Sequence, residues 1–203
     1  PYTHIQCFTF FLTKFLFYVK IHLYFFIKGV FLMLNKNVRD LVNDQINKEL
    51  YSAYLYLDFS IFFEEQGLSG FANWYNVQAQ EERDHAMLML KYLQNNGDKV
   101  CLEAVAKPDK TCKEIIDPLN FGLEHEQYVT SLIHNIYDAA YTVKDFRTMQ
   151  FLDWFVKEQL EEEKNAEDLI KKMELFGNDA KGLYMLDNEL AARVYTAPSL
   201  VLD

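Results

Sequence analysis

Chain breakers are rare in this sequence, with seven glycines and four prolines among 203 residues. So few interruptions leave room for long helices and argue against a sandwich or barrel built on Gly/Pro-rich turns. Strand signals are missing too: there is no sustained period-two alternation and no Asn-Gly turn between alternating runs. The cysteines Cys7, Cys101 and Cys112 are odd in number and stand in no metal-ligand spacing. That pattern points away from a disulfide framework and toward a reducing, cytoplasmic compartment. No internal repeat stands out. Acid is absent from the first 32 residues, yet the whole chain carries a net charge of −10. Without Lys14, Lys20 and Lys28 of that stretch the remainder is more negative still. Such a surface disfavours nucleic acid and anionic membranes and attracts cations.

Residues 1–32 differ in composition from the rest, being rich in Phe, Tyr, Ile and Leu with scattered basic groups. The length approaches that of a membrane span, but Lys14, Lys20, His22 and Lys28 interrupt the run instead of flanking it. No small-residue cleavage site follows. The first methionine is Met33, directly ahead of the first helical pattern. The expectation is an upstream translation outside the mature fold, with a hydrophobic anchor as the alternative; the folded domain is expected over 33–203.

What is present is helical periodicity. A first helix is predicted from about Lys36 to Gln66, with Val38, Leu41, Val42, Gln45, Glu49, Ala53, Tyr56, Ser60 and Phe63 on one stripe. A second runs from about Ser69, a suitable N-cap, to Asn96, with Gly97 as the stop. Residues 98–116 contain Pro108 and read as a connection. Its length can carry the chain back along a helix of roughly 40 Å, which permits helices two and three to be parallel. A third helix starts at Asp117-Pro118, read as N-cap and first turn. A fourth spans about Asp145 to Leu175. A short fifth spans about Leu183 to Arg193, and Pro198 then opens a loose tail.

Each long helix carries one carboxylate in its apolar stripe: Glu49, Glu82, Glu126 and Glu162. Helix two adds His85 three residues after Glu82, and helix four adds Gln159 three residues before Glu162. Residues three apart share a helix face. One such acid alone reads as a stripe-edge group reaching water. Four at mid-helix depth would crowd negative charge into a desolvated space, which is strongly unfavourable. Two divalent cations cancel that charge. Oxygen ligands with one imidazole suit iron or manganese better than structural zinc. An E-x-x-H pair with matching carboxylates from other helices is the di-metal pattern of ferritin-like bundles.

The chain from about Leu34 to Leu190 resembles the ferritins, most closely the bacterial-type non-haem ferritins. The runs that carry the likeness are Glu49-Leu-Tyr-Ser-Ala-Tyr-Leu-Tyr56, Ala79-Gln-Glu-Glu-Arg-Asp-His85, Glu124-His-Glu126, the stretch from Trp154 to Lys164, and Gly182-Leu-Tyr-Met-Leu-Asp187. The resemblance implies an all-α four-helix bundle with a long crossover and a short fifth helix, assembling as a homo-oligomeric twenty-four-subunit shell. It implies iron storage with ferroxidase activity toward ferrous iron, the oxidant being O2 or H2O2. By the same resemblance Glu49, Glu82 and His85 hold a first iron, and Glu82, Glu126 and Glu162 a second. Gln159 is the polar neighbour of that second site and Tyr56 an electron donor beside it. Glu81, Glu158 and Glu161 match a third iron site; their ordinary reading is charge on an inner surface. Gln159-x-x-Glu162 is not a second E-x-x-H pair, which departs from bacterioferritin and rubrerythrin. Met87 and Met89 read as packing residues and not haem ligands. A rubrerythrin-like peroxidase or oxidase without storage, or a non-catalytic bundle, remains the alternative.

Overall fold

The computed structural model describes residues 33–202. The expectation for residues 1–32 lies outside the described residues. Five helices follow in order: α1 Lys36–Glu65, α2 Ser69–Asn95, α3 Asp117–Thr142, α4 Phe146–Phe176 and α5 Ala180–Leu190. There is no strand among the described residues. No helix among them is long and apolar enough to cross a membrane.

The core falls into two apolar clusters stacked along the bundle. One joins Val38, Val42 and Ile46 of α1 to Ala86, Met89 and Leu93 of α2, Val129, Ile133 and Ile136 of α3, and Leu152 and Phe155 of α4. The other joins Leu55, Phe59 and Phe63 of α1 to Phe71, Tyr75 and Ala79 of α2, Leu119 of α3, and Leu169 and Met173 of α4. Fully burying one such side chain is worth ~1.5–3 kcal/mol. The first cluster therefore holds the start of α1 and α4 but the end of α2 and α3. Helices α2 and α3 are parallel, as the long connection permits, and α1 and α4 run the other way. The connection is strapped to α1 at steps of four: Asn43 exchanges hydrogen bonds with the backbone of Cys101 (2.8 and 2.9 Å), Asn47 donates to Glu103 O, and Tyr51 donates to Asp109.

The helix ends differ from their predicted caps. Ser69 is already helical and makes no capping bond; α2 follows Leu68. Its free N–H groups are capped from a distance, because Asp187 Oδ1 of α5 accepts from Gly70 N (2.8 Å) and Phe71 N (3.1 Å). Only glycine fits there, since a Cβ on Gly70 would lie 1.7 Å from the Asp187 carbonyl oxygen. Asp117 does not cap α3 either; its carboxylate accepts from Lys113 N and Glu114 N and closes the turn before the helix. The fifth helix begins three residues earlier than predicted because Asp179 supplies its N-cap, accepting from Gly182 N. Gly97 does take the left-handed turn predicted of a stop, at φ 75°.

The tail is not loose. Its backbone carbonyl at Arg193 accepts from Asn73, Tyr195 donates to Asp84, and Ser199 Oγ accepts from Trp154 Nε1 (2.9 Å). Leu200 and Leu202 pack on the first cluster. Residues 191–202 thus lie back along α2 and α4 as a strap.

Candidate metal centre

In every long helix the polar stripe residue stands where one apolar cluster gives way to the other. Glu49 and Ser52 fall between Ile46 and Leu55, and Glu82 and His85 between Ala79 and Ala86. Glu126 falls between Leu119 and Val129, and Gln159 and Glu162 between Phe155 and Leu169. The four helices thereby present their polar residues at one level, closed above and below by apolar side chains. Glu49, Glu82, His85, Glu126, Gln159 and Glu162 are all buried, none more than 6% exposed.

Glu49, Glu82 and His85 converge: one ligand atom from each lies within 4.8 Å of the others. Glu49 Oε1 accepts from Gln45 (2.9 Å), whereas no donor group reaches its buried Oε2; Glu49 and Glu82 can hydrogen-bond each other only while one of them keeps a proton. A buried orphan acceptor is costly unless something compensates it. A hard cation beside Glu82 and His85 would do so. Glu126 and Glu162 stand beside this trio but outside the converging set. Each is engaged by donors instead: Tyr56 and Gln159 (3.2 Å) donate to Glu126, and Gln78 donates to Glu162 at 2.7 Å.

The electrostatics tie all four carboxylates together. Burial raises Glu49 to about 8, and the neighbouring charge of Glu82 adds to the effect. Burial likewise raises Glu82 to about 8, with Glu162 adding to it. Glu126 is raised to about 8 by burial and Glu82, and Glu162 to about 8 by burial and Glu126. A space that holds protons this firmly favours divalent cations in their place. Burial and the charge of Glu126 push the Tyr56 phenol upward, so Tyr56 stays protonated and donates to Glu126.

The third-site candidates are placed less tightly. Glu81 and Glu158 are half-buried and Glu161 is exposed. Burial raises Glu81, Arg193 opposes the shift, and the charges of Glu158 and Glu161 add to it, so the three share a neighbourhood, but they form no converging ligand group among the described residues. Glu81 is paired with Arg193. Met89 is wholly buried in the first apolar cluster and Met87 packs against it, as their packing reading predicts.

Gln45 and Gln78 were not singled out as site residues by the stripe reading. Both stand four residues before a buried glutamate on the same helix, and both donate to it, Gln78 to Glu82 at 3.2 Å. That spacing was visible in the sequence. His125 is a second omission: its Nε2 lies 2.7 Å from Ser52 Oγ, and Ser52 in turn donates to Lys48 O. His125 therefore donates and Ser52 accepts, a closed structural pair.

The ferritin-like domain family matches residues 39–176. A bacterial non-heme ferritin of Staphylococcus saprophyticus is 37% identical over 163 residues, covering 80% of this chain and 98% of that protein. A bacterial non-heme ferritin of Campylobacter jejuni is 39% identical over 155 residues, covering 76% of this chain and 93% of that protein. Among solved structures, an open-pore ferritin from the archaeon Archaeoglobus fulgidus is 42% identical with a TM-score of 0.77, covering 79% of this chain and 98% of its own.

Proposed function

The chain belongs to the ferritin family, and from that premise we propose that it stores iron, oxidising ferrous ions within the bundle and holding the ferric product in a shell of its own copies. The observation that carries this reading is the convergence of Glu49, Glu82 and His85, all buried, around a Glu49 oxygen that no donor side chain or backbone N–H reaches. Two ferrous ions are the substrate. Glu49, Glu82 and His85 would receive one, and Glu82, Glu126 and Glu162 the other. Each ion gives one electron to the oxidant. Dioxygen then takes two electrons and two protons to become hydrogen peroxide, or hydrogen peroxide takes the same to become two waters.

The protein's own residues supply position and proton balance. The four carboxylates release protons as the cations enter, because the folded apo state holds them protonated near neutrality. Gln45, Gln78 and Gln159 donate to the carboxylates and steady them. Tyr56, which donates to Glu126, would be the nearby electron donor: its electron and proton, with the electron of a third ferrous ion and one proton from solvent, would carry hydrogen peroxide on to two waters. Glu81 of α2 with Glu158 and Glu161 of α4 would take a third ion. Assembly is supported by an apolar groove of about 410 Å³ lined by Leu50, Tyr54, Leu57 and Val105, on a face where Ile61 is 58% exposed. Apolar surface of that kind is usually covered by a partner, here another copy of the chain.

The test is stopped-flow oxidation of ferrous iron by Glu82→Ala with His85→Ala. Fast oxidation at two irons per subunit should disappear while the assembly still forms. An unchanged rate would refute the site. Iron retained per particle separates storage from a di-iron peroxidase or oxidase that keeps none.

A further inference from the structure

Gln78 stands between two of the carboxylates. Its Nε2 donates to Glu162 Oε2 at 2.7 Å and to Glu82 Oε1 at 3.2 Å, so its amide protons go to glutamates of two different helices. Turned end for end, the amide would set its oxygen against both carboxyl groups, an acceptor facing acceptors once those groups give up their protons to a bound cation. The orientation is decided on the other side of the side chain, where Arg193 Nη1 donates to Gln78 Oε1 at 2.8 Å. A guanidinium has donors and no acceptor. Only the orientation with Oε1 toward Arg193 satisfies it, and that orientation sends Nε2 toward the metal centre.

Arg193 is itself held in place. It lies over the Trp74 ring at 4.1 Å, donates to Trp74 O at 3.2 Å, pairs with Glu81, and its carbonyl accepts from Asn73 at 3.0 Å. Its side chain is 16% exposed. All of these partners lie on α2, while Arg193 comes from the strap that follows α5.

We propose that Arg193 is a positioning residue for the metal centre, acting through Gln78: it selects the amide orientation that aligns Glu82 and Glu162 to receive ferrous iron. The inference rests on the metal-centre reading above. It makes the C-terminal strap part of the site: Arg193 pairs with Glu81 of the third-ion candidates, but no strap residue reaches Glu49, Glu82, His85, Glu126 or Glu162 directly.

The experiment is an anaerobic cobalt(II) titration of the assembled, metal-free protein, read by visible absorbance. Residues that steady a metal ligand from outside typically contribute ~10–100-fold to affinity, and Arg193→Ala should lose an amount in that range. Arg193→Lys keeps one donor to Gln78 Oε1 and should recover part of it. Gln78→Leu should bind as weakly as Arg193→Ala, and the double variant no more weakly than Gln78→Leu alone, because the two act in series. If Gln78→Leu fails to assemble, Gln78→Met replaces it. Tyr195→Phe loosens the strap at Asp84 without touching Gln78, and should leave cobalt binding unchanged. Losses that multiply in the double variant, wild-type affinity in Arg193→Ala, or an equal loss in Tyr195→Phe would each overturn the proposal. Glu82→Ala with His85→Ala is the separate control. If that variant still binds cobalt normally, the metal-centre reading itself fails; if it does not while Arg193→Ala binds normally, only the positioning role is lost.

Discussion

Stripping metal and raising the pH should destabilise this protein. Burial holds Glu49, Glu82, Glu126 and Glu162 at about 8, against 4.5 for a free glutamate, with neighbouring carboxylates adding to each shift. Above 4.5 the unfolded chain has released these protons and the folded chain has not, so each further rise in pH favours unfolding. The protonated carboxylates' contribution is complete below 4.5 and is lost as pH climbs through about 8. His125 runs the other way. Burial lowers it from 6.5 to about 4, so its contribution is complete above 6.5 and lost as pH falls toward 4. The window from pH 6.5 to 8 therefore isolates the carboxylates. One proton retained across it amounts to ~2 kcal/mol. For a chain of this size that is a fall in Tm of roughly 4–8 °C. Thermal melts of chelator-treated protein at the two pH values measure it. Glu49→Gln with Glu162→Gln should flatten the dependence, and so should saturating divalent metal. A metal-free Tm that holds or rises across the window would show that the buried carboxylates are not protonated and that the electrostatic account is wrong.

Three further variants test the packing. Asp187→Ala removes the distant cap of α2 and should cost ~1 kcal/mol, seen as a modest fall in Tm; Gly70→Ala should be worse, because its new Cβ meets the Asp187 backbone, and hydrogen exchange should show α5 released while α1–α4 stay protected. Ser52→Ala leaves the buried His125 Nε2–H without its acceptor and should cost ~1–3 kcal/mol, read by denaturant unfolding with ferrous oxidation largely retained.

Much of this architecture is legible along the chain. The parallel course of α2 and α3 could be anticipated from a connection long enough to span the bundle. Glu49, Glu82, His85, Glu126, Gln159 and Glu162 could be named because polar residues interrupt apolar stripes at helical spacing, and all six are buried. The caps misled where the expected partner was local. Ser69 looks like an N-cap, but Asp187, more than a hundred residues away, does that work. Asp117 has capping chemistry but serves the turn before its helix. The tail reads as loose because it lacks periodicity; single residues such as Tyr195 and Ser199 anchor it, and those leave no pattern.

Periodicity and spacing along each segment determined the helices, their order and which face of each holds a carboxylate, since those depend on residues a few positions apart. Tertiary structure alone decided that the polar level is sealed by one apolar cluster on each side, and that no donor group reaches the second oxygen of Glu49. It also brought Arg193 to Gln78 across 115 positions of sequence. Contacts of that kind are set by how helices pack and where the chain returns, and no local run of residues encodes them.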